Sequence, residues 1–263
     1  MKPDYKNWVP KGMIYALEAG TVLTLAGLIA LGGYDLGVSA ALRALLGAAF
    51  GIGFVLCLHY TVWCIYAHGM FSYDGKRQLS KQIIEGTAEY ITLPEGGVGL
   101  DVGCGSGALT IACAKRNPQG RMVGIDRWGK EYASFSLPLC QNNSKAEGVG
   151  NTEFERGDAT KLDFPDESFD AVTSNYVYHN ISGADKQALL LETLRVLKKG
   201  GCFAIHDLMS QRRYGDMQAF VKKLKDMGYE RVELIDTTDG RFMTRHEARR
   251  MMLTGSTLLV GIK

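Results

Sequence analysis

The stretch Gly97-Val98-Gly99-Leu100 runs into Asp101-Val102-Gly103-Cys104-Gly105-Ser106-Gly107 and leaves through Ala108-Leu109-Thr110-Ile111-Ala112. A short apolar strand, a turn with glycine at alternate positions and a helix start thus follow one another without a spacer. Glycine accepts backbone conformations closed to other residues and brings no side chain, so the turn bends sharply and lets the main chain approach a bound small molecule. The helix behind it presents amide hydrogens to the same spot. Further strands are expected at residues 152–154, 171–174, 201–206, 231–235 and 257–262, with helices at 106–116 and about 130–147, the latter ended by Gly148 and Gly150. Strands alternating with helices of this length imply an α/β domain with a largely parallel sheet covered on both faces.

The acids decide which molecule the turn suits. Its spacing is G-x-G-x-G, not the G-x-G-x-x-G that seats a dinucleotide pyrophosphate on a helix N-terminus. Asp101 ends the strand just before it, where a carboxylate repels a pyrophosphate and attracts an ammonium or sulfonium group. This favours S-adenosyl-L-methionine over a nicotinamide or flavin dinucleotide. Asp126 closes the next strand-like run, Met122-Val123-Gly124-Ile125, in place to accept both ribose hydroxyls. Asp158 follows in Arg156-Gly157-Asp158-Ala159, at a third strand end where an acid can accept from an adenine amino group.

With these residues in view, the chain from about 97 to 207 resembles a class I S-adenosylmethionine-dependent methyltransferase of the broad type 11 kind. The resemblance rests on Leu100 to Gly107, Gly124-Ile125-Asp126, Gly157-Asp158-Ala159, the run from Asp163 to Val172, and Leu194 to Gly201. The family often has proline where Lys199 stands; the turn keeps its two glycines. The resemblance implies a Rossmann-like, seven-stranded, mostly parallel sheet with the last strand inserted antiparallel. It also implies a cofactor site at Asp101, Gly103, Cys104, Gly105, Gly107, Asp126, Arg127, Gly157, Asp158, Ala159 and Asn175. Tyr73, upstream, is expected either as a lid over the methionine moiety or as a membrane-interface aromatic.

Two apolar runs lie upstream, at residues 13–31 with Glu18 as the polar exception and at 44–67 with His59. Each reaches the roughly 20 residues a helix needs to cross a bilayer core. Competing readings are a cleaved signal peptide for the first run, on Val38-Ser39-Ala40, and buried helices of a soluble cap for both. Lys2, Lys6 and Lys11 before the first run, Lys76, Arg77 and Lys81 after the second, and no Lys or Arg between 32 and 38 favour an integral membrane hairpin with both ends cytoplasmic. The cytosolic cofactor agrees. The expected organisation is therefore a transmembrane hairpin over 1–70, a connecting amphipathic helix within 71–96 capped by Asp74, and the catalytic domain over 97–263. Gly47 and Gly51 offer close helix approach, within the hairpin or to a second copy in a homo-oligomer. Counted inward from the cytoplasmic ends, Glu18 lies on the order of 8 Å deep and His59 on the order of 12 Å, and they are expected to pair, as a polar floor for substrate or as a structural clasp, with Glu18 snorkelling to the interface as the alternative.

The net charge of +2 over 263 residues does not suggest nucleic acid. Six cysteines show no C-x-x-C pair and no metal-ligand spacing with histidine, so reduced thiols and no metal are expected.

Methyl transfer needs an aligned acceptor, exclusion of water and removal of a proton where the acceptor carries one. Open sheets bind ligands at the carboxyl ends of their strands, which directs attention to Ser174 to Asn180 and to His206-Asp207. His179 is the first choice for a base, with helix capping or a backbone bond as its alternative; Asp207 is second, and Tyr176 is included. Either Tyr176 or Tyr178 is expected to pack in the core. Residues 208–215 and 237–254 are the expected specificity elements. The latter carries Arg241, Arg245, His246, Arg249 and Arg250 among Phe242, Met243, Met251, Met252 and Leu253, a basic helix for an anionic membrane surface or a solvated one. The combined expectation is a membrane-anchored methyltransferase acting on a small or lipid acceptor. Modification of a membrane-protein partner and a non-catalytic cofactor-binding scaffold are its alternatives.

Overall fold

The computed structural model describes residues 2–129 and 134–263. It divides into two compact units, residues 7–80 and, separately, residues 2–6 with 81–263.

The first unit is a pair of helices, α1 (Lys11–Gly33) and α2 (Ala40–Phe71). They begin earlier and end later than the apolar runs, and both are long and apolar enough to cross a membrane. Their seam is built on small residues. A Cβ at Gly20 would sit 3.0 Å from Cys57 Sγ, at Gly27 2.6 Å from the Phe50 ring, and at Gly53 3.1 Å from Thr24. Thr21, Thr24 and Thr61 donate back to the carbonyls of Leu17, Gly20 and Cys57, which satisfies hydroxyls that would be costly in an apolar medium. Gly47 and Gly51 lie outside this seam, with nothing within 4 Å of their Cβ positions. Nor do Glu18 and His59 pair. Both are exposed, and His59, two residues from the seam positions Cys57 and Thr61, points about 200° round the helix from them. Their depths are similar; azimuth separates them. At the hairpin's turn Arg43 donates to the carbonyls of Leu31 and Tyr34, serving the last turn of α1.

The second unit carries α3 (Leu79–Ala88), β1 (Val98–Val102), α4 (Ala108–Arg116), β2 (Arg121–Asp126), α5 (Leu137–Ala146), β3 (Thr152–Arg156), β4 (Phe169–Asn175), α6 (Lys186–Arg195), β5 (Leu197–Leu208), α7 (Gln211–Tyr214), α8 (Met217–Asp226), β6 (Arg231–Asp236), α9 (Arg245–Arg250) and β7 (Ser256–Ile262). The seven strands form one sheet in the order β3-β2-β1-β4-β5-β7-β6. All pairs are parallel except those of β7, which runs antiparallel to β5 and β6. Leu100, Val123 and Val172 stand in register across β1, β2 and β4 and join one core with Leu190 and Leu194 of α6 and Phe220 and Leu224 of α8. Asp101, one residue on, faces the other side, where α4 lies. The sheet is thus covered on both faces.

Three local expectations need correction. α3 begins at Leu79, five residues past Asp74, whose amide instead bonds Ser72 Oγ in a turn. α5 begins at Leu137, with Ser136 as its N-cap and Pro138 in the first turn. Proline is at home there and breaks a helix interior, so a helix running through it from Lys130 is not formed at that point; residues 130–133 lie outside the described residues. In the basic segment, Phe242, Met243, Ala248, Met251 and Leu253 are buried in the domain, leaving Met252 as its exposed large apolar residue. That helix spends its apolar face on the protein core, and a membrane-facing stripe is not what it presents.

Candidate active site

The glycine turn is fastened to the end of β2. The amides of Gly103 and Cys104 donate to the Ile125 carbonyl at 2.8 and 2.9 Å, and Gly105 donates to Asp126 Oδ2 at 2.9 Å. Gly103, Gly105 and Gly107 have φ of 75°, 56° and 80°, the left-handed region that penalises any residue with a Cβ. At Gly103 a Cβ would also sit 2.4 Å from Val177, so the turn leaves room for the loop after β4 only because it carries no side chain there.

Asp126 is held ready by two amides. Besides Gly105, the Trp128 amide donates to its Oδ1 at 2.7 Å, while Trp128 Nε1 donates to the Gly105 carbonyl at 2.9 Å. Trp128 was not anticipated, although its place two residues past the strand-ending acid was a usable signal. Its φ of 44° is uncommon for a bulky side chain and marks a constrained loop. On β3's side, Asp158 accepts from Thr160 N and Oγ1 at 2.8 and 2.7 Å. Those bonds hold its carboxyl below the usual range, helped by the nearby Arg127. Gly157 donates to the Asp126 carbonyl, and Ala159 packs on the core. Asp101, Gly103, Cys104, Gly105, Gly107, Asp126, Arg127, Gly157, Asp158 and Ala159 therefore collect at the carboxyl ends of three neighbouring strands.

Asp101 is 1% exposed. Burial pushes its pKa up to about 7, against the opposing bond that Thr110 Oγ1 donates to Oδ2 at 2.6 Å, and the charge of Asp126 adds to the rise. Among the described residues no cationic side chain pairs with it. A buried carboxylate short of positive charge, beside a turn shaped by three left-handed glycines, fits a cofactor that brings an ammonium and a sulfonium group. Thr110 also explains Gly124: a Cβ there would sit 2.7 Å from Thr110 Oγ1, in the path of its bond to Asp101.

At the ends of β4 and β5 the two candidate bases prove to be one pair. His179 lies in a single 3-10 turn, Tyr178–Asn180, and its Nδ1 meets Asp207 Oδ1 at 2.5 Å. The His179 amide donates to Asp207 Oδ2 at 3.2 Å and the Leu208 amide to Oδ1 at 2.6 Å. Asp207 is fully buried and the His179 side chain 17% exposed. The arrangement suits Asp207 to orient the ring, with a proton on Nδ1 directed at it and Nε2 left free of that bond.

Tyr176 takes a different part from the one expected. Its hydroxyl meets Ser256 Oγ at 2.6 Å, and burial pushes its pKa upward. The ring rather than the phenol faces the histidines, 6.0 Å from His179 and 4.7 Å from His206. Tyr178 is the core tyrosine, fully buried and bonded to Thr193. Asn175 meets His206 Nδ1 at 2.8 Å; burial lowers the pKa of His206 to about 3, which keeps this imidazole neutral. Tyr214 brings a buried hydroxyl toward Asp207, and burial together with that carboxylate raises its pKa. Tyr73 belongs to the helical unit, where its carbonyl accepts from Gln78.

Beyond β5, a cavity of about 730 Å³ opens where β6 and β7 meet the segments 209–218 and 245–249. Met209, Met217 and Leu234 contribute apolar surface, Arg245 and Arg249 positive charge, and Asp216 and Asp236 negative charge.

The sequence model of the family described as "Methyltransferase domain" matches residues 94–248. A demethylmenaquinone methyltransferase of Geobacillus stearothermophilus is 28% identical over 184 residues, covering 66% of this chain and 76% of its own. A 2-phytyl-1,4-naphtoquinone methyltransferase of Thermosynechococcus vestitus is 33% identical over 120 residues, 45% of this chain and 49% of that protein. Among solved structures, a geranyl diphosphate methyltransferase in complex with GPP and sinefungin superposes with a TM-score of 0.53 at 13% identity, over 72% of this chain and 79% of its own. The cyclase SpnF superposes at 0.54 with 20% identity, over 71% and 82%. These two are likenesses of fold.

Proposed function

The chain belongs to the S-adenosyl-L-methionine-dependent methyltransferases, and from that premise we propose that it methylates a lipophilic acceptor of quinol or isoprenoid type at the cytoplasmic face of a membrane. The observation that carries the reaction is the His179–Asp207 pair on the strand ends next to those that bear the glycine turn and Asp126.

S-adenosyl-L-methionine supplies an already activated methyl group, so little covalent chemistry is left to the protein. Asp126 is poised for the ribose, Asp101 for the positive charge, and Asp158 with Arg127 for the base. His179 Nε2 takes the proton from the acceptor's hydroxyl, and Asp207, buried against Nδ1, stabilises the imidazolium that results. Deprotonating a quinol hydroxyl raises electron density both on that oxygen and on the ring, which suits O- or C-methylation alike. The half-apolar cavity beside β6 and β7 suits an amphipathic acceptor. Two helices fit to cross a membrane, basic residues flanking them and quinone-methylating relatives support the choice of a membrane-borne one.

The test is transfer of labelled methyl from S-adenosyl-L-methionine by purified full-length protein in nanodiscs, offered the host's membrane lipid extract, its cytosol and a demethylmenaquinol. Label in the lipid-extractable fraction, absent with Asp126→Ala, is expected. Label only in water-soluble metabolites or protein overturns the acceptor class, and none at all despite cofactor binding overturns turnover.

A further inference from the structure

Residues 2–6, which lie ahead of the helical hairpin in sequence, are part of the catalytic unit. They are held there by α5. The Asp4 amide donates to Asn143 Oδ1 at 2.7 Å and Asn143 Nδ2 donates back to the Asp4 carbonyl at 3.0 Å, so Asn143 reads the main chain at position 4 from both sides. Tyr5 follows with its hydroxyl on Glu147 Oε1 at 3.0 Å, one helical turn beyond Asn143. Glu147 is itself paired with Lys115 of α4.

Asn143 does not stop at this segment. Its second amide hydrogen goes to the carbonyl of Ser106, at 2.9 Å, in the middle of the glycine turn. One turn back on the same face of α5, Cys140 Sγ reaches the Gly105 carbonyl at 3.2 Å, and its Cβ is 3.3 Å from where a Cβ of Gly107 would stand. Asn143 is 2% exposed, with both donors and an acceptor lone pair used. A buried amide so fully satisfied ties three backbone groups into one geometry: two on the N-terminal segment, one on the turn.

We propose that residues 2–6 form a strap that holds the cofactor turn in its binding conformation, with Asn143 as the positioning residue that joins strap to turn. The proposal rests on the reading that this turn holds the methyl donor. Linkage makes the coupling reciprocal: a docked strap raises affinity for the donor, and a bound donor tightens the strap. Only residues 7–10 separate the strap from α1, so the segment that tunes the donor site is continuous with the one that starts the hairpin.

The variant Asp4→Pro removes the single amide hydrogen that Asn143 Oδ1 accepts, whereas Asp4→Ala keeps it. Both leave residues 7–263 untouched. In the full chain in nanodiscs, with S-adenosylhomocysteine as the probe, Asp4→Pro is expected to raise Kd about fivefold, the worth of one hydrogen bond. The KM for the donor rises in step and kcat at saturating donor stays within about twofold; Asp4→Ala, which gives up only the exposed bonds its carboxylate accepts from Lys6, changes Kd by less than about twofold. Conversely, saturating S-adenosylhomocysteine slows tryptic cleavage after Lys6 in the wild type and not in Asn143→Ala. Equal Kd for Asp4→Pro and Asp4→Ala, or cleavage after Lys6 indifferent to the probe, overturns the strap. Asp126→Ala separates the two failures: if it binds the probe as wild type does, the placement of the cofactor falls, and the strap with it.

Discussion

Replacing Asp101 by asparagine tests the chemistry of the turn through stability rather than turnover. In the folded protein burial raises this carboxyl from 3.8 to about 7. Between those values the unfolded chain has lost the proton and the folded chain keeps it, so each unit of rising pH costs the native state about 1.4 kcal/mol. The sign is that of a raised pKa: the group's contribution is intact below 3.8, declines through the window and stays lost above about 7. Asp101→Asn has no charge to desolvate and keeps an oxygen for Thr110. Its advantage over the wild type, in the absence of cofactor, grows by about 3 kcal/mol from pH 5 to pH 8, two units of that slope falling inside the window. For a domain of this size that is a rise of roughly 6–12 °C in the difference between the two melting temperatures.

Thermal melts of both proteins, cofactor-free, at pH 5, 6, 7 and 8 make the measurement, with a Kd for S-adenosyl-L-methionine on the same samples. The variant is expected to be the more stable protein at pH 8 and the poorer binder throughout, while wild-type affinity rises through neutrality as Asp101 gives up its proton to meet a cation. A difference in melting temperature that does not change with pH refutes the assignment of a buried, charge-starved acid. A variant that binds the donor as well as wild type refutes its role toward the cofactor.

Asp207→Asn keeps the shape at His179 but removes the charge that steadies an imidazolium; kcat is expected to fall by about 10²–10⁴ with the cofactor Kd unchanged, and a fall in cofactor affinity instead would make the pair structural. Gly103→Ala places a Cβ against Val177 in a left-handed conformation and should lose cofactor binding, while the melting temperature drops by a few degrees from about 1–3 kcal/mol of strain and overpacking; retention of binding would show that the turn is not in contact with the ligand. Glu18→Gln and His59→Gln, which the hairpin holds apart, are expected to have additive effects on stability within about 0.5 kcal/mol, and strong non-additivity measured in a double-mutant cycle would restore the pair.

What was legible in the sequence was what local rules determine. Glycine at 103, 105 and 107 announces positive φ because few other residues tolerate it, and each of the three is left-handed. Asp101, Asp126 and Asp158 end strands or follow them because an apolar run of strand length must be closed by something polar. The alternation of strand and helix was enough for a largely parallel sheet, and the antiparallel last strand came with the family resemblance; both form. Pro138 is legible too: proline is at home in a helix's first turn and disrupts its interior, so the helical period upstream of it does not run on into α5.

The remainder depended on quantities that a single chain read in order does not carry. Depth along a helix is one coordinate, azimuth another, and Glu18 and His59 agree in the first while the Gly20, Gly27 and Gly53 seam settles the second. Amphipathicity says that Phe242, Met243 and Met251 will be covered but not by what; Phe242 finds His206, 5.4 Å away, and the domain rather than a bilayer receives them. His179 and Asp207 were each plausible as a base, and only their 2.5 Å approach joins two rival candidates into one hydrogen-bonded pair. Asn143 and Asp4 lie 139 positions apart, one a mid-helix amide and the other a residue recognised through its backbone, so neither side-chain type nor spacing signals the contact. Contacts made by the main chain leave the partner's side chain unconstrained, which is why a strap of this kind is tested by removing an amide hydrogen rather than a side chain.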